Sequence, residues 1–147
     1  MLTTPHAAAG ITLGAITGNP ILAIPAALVS HYLLDMVPHW QETLAPYKPT
    51  RWTYIRIPLD IVLAVGLTTW AAYVMPSHAS AIWTGAIAAN IADLDSLVVL
   101  LPSVKRGLIQ KYWDWHCRIQ RETSSLWGLL PQVGLIVACL VCVEILP

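Results

Sequence analysis

Charge is what this chain has least of. Eight Lys and Arg balance eight Asp and Glu in 147 residues, and charged side chains make up 11% of the total. That is less than half the share of an average soluble domain, about 25%. Too little polar surface remains to cover a water-soluble sphere of this size, so the composition points to a membrane protein. Net charge is zero, which removes any basis for nucleic-acid binding through overall charge. The three cysteines do not make a disulfide framework. Cys139 and Cys142 lie in an apolar run and read as small side chains of a membrane helix, and Cys117 stands alone. The first apolar run carries His6 and has no basic segment before it, so no cleavable signal peptide is expected. Nucleophile and zinc-protease signatures of the G-x-S-x-G or H-E-x-x-H kind are missing. So are a selectivity-filter sequence and a pair of broken helices arranged as an inverted repeat.

Apolar residues fill 56% of the chain, and they fall in runs that read as one all-α membrane domain over residues 1–147. Thr3-Thr4-Pro5 reads as a helix start, a hydroxyl cap followed by proline at the first helical position. The run from His6 to Gly18 is short of the roughly 20 residues that cross a bilayer. Gly10, Gly14 and Gly18 give it a small-xxx-small ridge for close packing. Gly18-Asn19-Pro20 is a turn signal, so Ile21 to Val37 folds back on the first run as a hairpin. Residues 40–56 read as a loop, Thr53 to Met75 as a span, Pro76-Ser77-His78 as a turn, and Ala79 to Leu101 as a second span. The basic, aromatic stretch from Pro102 to Arg121 predicts an amphipathic helix along the interface. Leu126 to Leu146 is the last span. The expectation is a bundle of about five membrane helices, the first short and hairpinned, plus one interfacial helix.

All Lys and Arg fall in the stretches 48–56 and 105–121, which the positive-inside rule makes cytoplasmic. Counting about 1.5 Å per helical residue then places His31, Asp35, Asp60, Asp93 and Asp95 in one layer, in the inner leaflet. His6 opens the first helix on that side, and His116 lies on the interfacial segment. His31 and Asp35 are four apart, hence on one helix face with Cβ atoms about 5–6 Å apart. Pro38 ends that helix and leaves His39 on the turn beyond. Asp93 and Asp95 are two apart and face one site only if their helix is distorted, whereas Asn90 and Asp93 share a face more naturally.

Ionisable groups in lipid are costly and face an interior or a wet cavity. A bound cation, or shared protons, would relieve the repulsion among these carboxylates. Imidazole and carboxylate from separate helices suit zinc, or another first-row divalent ion such as manganese. The metal reading takes His31, Asp35 and Asp93 as ligands, with His6 and His116 as completing ligands. Asp60 or Asp95 would act as general base and His39 as general acid. Each group also has a plainer reading. His31 with Asp35 is equally an intrahelical hydrogen-bonded pair, Asp60 a partner for Arg56, His39 a solvated side chain, and His116 an interfacial one.

The pair of motifs Ser30-His31-x-x-x-Asp35 and Ala92-Asp93-Leu94-Asp95 resembles those of bacterial and archaeal inner-membrane proteins described as membrane-bound, metal-dependent hydrolases of the YdjM type. His31, Asp35, Asp93 and Asp95 match the motif positions, and His6 is a looser match to an N-terminal histidine. Ala92 stands where that family has proline, and the two motifs come in the opposite order. The resemblance implies a metal-dependent hydrolase of the inner membrane. The inner-leaflet layer suggests a lipid or lipid-linked phosphoester as substrate. The competing class is non-catalytic: an ion or proton pathway, or a structural polar cluster. Oligomeric state is not legible.

Overall fold

The computed structural model describes residues 1–42, 50–95 and 107–146. All the regular structure among them is helical. Six α-helices follow one another: α1 (Thr3–Thr17), α2 (Pro20–Asp35), α3 (Thr53–Val74), α4 (Ala79–Ile91), α5 (Leu108–Ile119) and α6 (Ser125–Ile145). Short 3₁₀ turns, Pro76–His78 and Ala92–Leu94, precede and follow α4.

The short first helix is the hub. It packs on α2, α3, α4 and α6, and every residue from Thr4 to Ile11 is buried. Being enclosed over its first two turns, α1 needs no polar face there, which is why that part is apolar nearly all round. Its contact with α4 is close because both helices offer glycine there. A Cβ on Gly10 would overlap the Gly85 carbonyl, and one on Gly14 would overlap that of Ala81. Ala7, Ala8, Ile11 and Ala15 meet Ala64, Ala71, Ile82, Ala86, Cys139 and Val143 in the core. These small side chains let backbones approach where larger ones would hold them apart.

The hairpin between α1 and α2 follows its turn signal. Gly18 takes the left-handed conformation (φ 56°) and caps α1 by donating to the Gly14 carbonyl. Asn19 then caps α2 by accepting from the Ile21 N–H, with Pro20 at the first helical position. The start of α1 departs from the expected hydroxyl cap. Thr3 and Thr4 are helical and Leu2 supplies no side-chain cap. The capping group is Asp60 of α3, which accepts from the Thr3 N–H at 2.6 Å and the Thr4 N–H at 3.0 Å. A carboxylate suits this position, where free N–H groups and the positive end of the helix dipole coincide.

The five long or short spans expected from the runs resolve into a smaller number of long helices. Only α3 and α6, among the described residues, are both long and apolar enough to cross a membrane. The run expected to span from Ala79 to Leu101 is α-helical only to Ile91 and then tightens into the 3₁₀ turn; residues 96–106 lie outside the described ones. α2 stops at Asp35, two residues before the expected Val37, consistent with Pro38 disfavouring a helical predecessor. Large apolar side chains cover the outside: Ile21, Val29 and Leu33 on α2, Val62 on α3, and Leu130 and Val137 on α6 are exposed.

Candidate metal centre

Four elements end at one place. The last two turns of α2 bring His31 and Asp35, and the first turns of α1 bring His6. The 3₁₀ turn after α4 brings Asp93 and Asp95, and α5 lays His116 across them. His6, His31, Asp35 and His39 have no exposed surface. The turn also resolves the register problem of Asp93 and Asp95. A 3₁₀ helix advances by about 120° per residue, and the change of pitch lets both carboxylates meet histidines of the same cluster.

One ligand atom from each of His31, Asp35, Asp93 and His116 lies within 4.8 Å of all the others. The His31 Nε2 is 3.3 Å from Asp35 Oδ2 and 3.6 Å from Asp93 Oδ1. The His116 Nε2 is 3.0 Å from Asp35 Oδ2 and 3.2 Å from the His31 Nε2. Ligand atoms held at about 2.0–2.2 Å around a tetrahedral ion stand about 3.3–3.6 Å from one another. The four separations above, 3.0–3.6 Å, are close to that size, and the remaining ones stay within 4.8 Å.

The protonation pattern carries more weight than the distances. The His31 Nδ1 faces the Ala89 carbonyl at 2.7 Å, and the His39 Nδ1 faces that of Val37 at 2.8 Å. The His116 Nδ1 faces Asp95 Oδ2 at 2.7 Å. Each acceptor requires Nδ1 to be the protonated, donating nitrogen, which assigns the tautomer from the partner. In a neutral ring Nε2 is then left with a lone pair, and those of His31 and His39 point toward carboxylate oxygens. The His116 Nε2 hydrogen-bonds Asp35 Oδ2 at 3.0 Å and holds a second proton until an ion displaces it. Lone pairs facing lone pairs are unfavourable unless a cation or further protons lie between them. An outer Nδ1–H held by a carbonyl or carboxylate is the usual support of a metal-binding imidazole. The residues therefore fit a divalent metal.

His116 sits on the amphipathic α5. Burial works against its charged form, but hydrogen bonds to Asp35 and Asp95 outweigh that and raise its pKa to about 9. The pKa of His39 is lowered, chiefly by burial and by the positive charge of the Met1 amino group. That amino group also lies 2.7 Å from Asp35 Oδ1. Aromatic side chains roof the cluster: Tyr32 and Tyr112 share a hydroxyl contact of 3.0 Å, and Trp115 packs its ring on both.

Three residues given catalytic roles by sequence reasoning sit differently. Asp60 is at the α1 N-terminus, where the Thr4 hydroxyl also donates to it at 2.6 Å. Its nominal partner Arg56 pairs with Glu42 instead, at 2.8 Å. Asp95 stands behind His116 as an acceptor, the place of a positioning group. His39, expected on a flexible, solvated turn, is fully buried. Its segment runs beside residues 121–123, with its N–H donating to Arg121 and its carbonyl accepting from Thr123. The backbone there presses on α6 at Gly128, where a Cβ would overlap Trp40. Nothing in the local sequence signals that docking except the glycine itself. Among the described residues no cysteine joins a candidate metal group, and Cys139 is part of the core. The chain matches no family model, curated protein or solved structure.

Proposed function

We propose that the chain is an integral membrane, metal-dependent hydrolase, with His31, Asp35, Asp93 and His116 holding a divalent ion at the cytoplasmic leaflet. The observation that carries this reading is the set of anchored imidazoles whose Nε2 atoms converge on the buried Asp35 and the partly exposed Asp93. Zinc suits that mixed nitrogen and oxygen set best, and manganese is the alternative. Membrane insertion rests on α3 and α6 and on the apolar outer surface; sidedness rests on the Lys and Arg distribution.

A divalent ion held by His31, Asp35, Asp93 and His116 would supply Lewis-acid chemistry toward a phosphoryl or acyl oxygen and water. The chain's own groups do the rest. Asp95 fixes the ring of His116, and the Ala89 carbonyl fixes that of His31, so both nitrogens are aimed before substrate arrives. Tyr32, Tyr112 and Trp115 exclude water from one side. Asp93, whose side chain is 28% exposed, marks the open side. An apolar groove of about 160 Å³ lies along α1, α3 and α4, lined by Thr3, Ala7, Val65, Ala86, Ile87 and Asn90 among others. Asn90 is three residues from Asp93, so an acyl chain in the groove would bring a lipid phosphoester toward the open carboxylate. A lipid or lipid-linked phosphoester is therefore the proposed substrate class, and the YdjM-type motif likeness agrees with a hydrolase.

The test is hydrolysis of phosphoester lipids in detergent micelles, before and after chelation, beside a His31→Ala/Asp93→Ala variant. Metal-dependent release of a phosphate-bearing product, lost in the variant while its helical content holds, is the expected result. Folded protein that takes up no zinc or manganese would sink the hydrolase reading in favour of a structural cluster or a proton pathway. Vesicle proton flux abolished by Asp93→Asn would then single out the latter.

A further inference from the structure

The four-residue group leaves two buried imidazoles unexplained. His6 and His39 have no exposed surface. Neither nitrogen of His6 has a hydrogen-bond partner, and the Nε2 of His39 has none. Unsatisfied buried polar nitrogens are rare and costly, yet the two Nε2 atoms face carboxylate oxygens. The His6 Nε2 points to Asp35 Oδ1 at 3.2 Å and to Asp93 Oδ2 at 3.9 Å. The His39 Nε2 lies 3.9 Å from Asp35 Oδ1.

The two oxygens of each carboxylate are thus divided. Asp35 turns Oδ2 to His31 and His116, and Oδ1 to His6 and His39. Asp93 turns Oδ1 to His31 and Oδ2 to His6. The rings of His6 and His31 are stacked, 4.1 Å between centroids and 23° from parallel, so they present their nitrogens side by side. Metal ions in two-metal hydrolytic sites stand about 3.5–4 Å apart, which is the spacing such a stack would set.

We propose that the centre is dinuclear. The second divalent ion is held by His6 and His39, and Asp35 and Asp93 bridge it to the first. This rests on the metal reading above and extends it. It gives His39 a ligand's place through Nε2, with the Val37 carbonyl holding its Nδ1. An ion entering there competes with the Met1 amino group for Asp35 Oδ1.

The experiment uses the full chain in detergent, stripped with a chelator and titrated with Mn²⁺. Bound metal is counted by mass spectrometry, and low-temperature electron paramagnetic resonance reports whether the ions are coupled. Two equivalents per chain with a spin-coupled spectrum are expected. His39→Gln should reduce this to one equivalent with the signal of an isolated ion, and His6→Asn should do the same. Using both variants guards against one failing to fold, with circular dichroism as the check. One uncoupled equivalent in the unaltered protein would overturn the second position and leave the first intact. Two coupled equivalents persisting in both folded variants would also overturn it. No bound metal at all would remove the first position too, so the two failures are distinguishable.

Discussion

Asp35 and Asp60 are both carboxylates on apolar helices, and they are used in opposite ways. Asp60 meets donors only: two backbone N–H groups and the Thr4 hydroxyl close its oxygens. That arrangement is complete without another ion, and it fixes where α1 starts. Asp35 meets mainly imidazole nitrogens, and one of those rings, His31, has already committed its Nδ1 proton to the Ala89 carbonyl. The Met1 amino group contacts its Oδ1, His116 and Gln120 approach its Oδ2, and the His31 Nε2 lone pair is turned toward that same Oδ2 at 3.3 Å. A buried charge with satisfied partners builds structure, whereas one with competing acceptors marks a place where a cation belongs. A place on an apolar helix therefore does not define a site; the direction of the neighbouring protons does.

The comparison breaks most visibly at Asp35. Asp35→Asn should abolish zinc retention through gel filtration, because every imidazole of the cluster approaches this one side chain. If Asp35→Asn keeps its zinc, the carboxylate is a structural acceptor like Asp60. Asp95→Asn should weaken zinc binding by roughly 10–100-fold, the usual cost of losing the acceptor behind a ligating imidazole; competition with a chromophoric chelator measures this. Unchanged affinity would mean that Asp95 does not orient His116.

Asp60→Asn tests the other half. Its zinc affinity should equal that of the unaltered chain, while stability in denaturant falls by about 1–2 kcal/mol, the range for a lost helix cap. A larger loss of zinc than of stability would place Asp60 in the centre after all. The smallest effect concerns one proton. Because the folded-state pKa of His116 is raised to about 9 above an unfolded value of about 6.5, its contribution is fully present below pH 6.5. It is lost as pH rises toward 9. Metal-free protein should therefore unfold more easily at pH 9 than at pH 6.5, and the His116→Gln variant should lack that portion of the slope.

Much of this arrangement is legible before any coordinates. The spacing of His31 and Asp35, the Gly18-Asn19-Pro20 turn, and the amphipathic segment bearing His116 all announce themselves through local rules of helix geometry and turn chemistry. So does the need for distortion at Asp93 and Asp95, which the 3₁₀ turn supplies. What the residues conceal is partner choice. A carboxylate in an apolar run signals that some donor must come to it, but Asp60 finds the α1 N-terminus through packing 56 residues away in sequence. His39 reads as solvated because Pro38 leaves it on the turn beyond α2. Only the fit of that backbone against Gly128 buries it. The first run is too short to cross a bilayer alone, yet packing against four neighbouring helices puts α1 at the core.

The most direct test of the central claim is X-ray absorption at the zinc edge on the detergent-purified, zinc-loaded chain. The account predicts a first shell of nitrogen and oxygen only, with the outer scattering of imidazole rings, lost in His31→Ala/Asp93→Ala. A shell containing sulfur, or a spectrum unchanged by that double substitution, would contradict it.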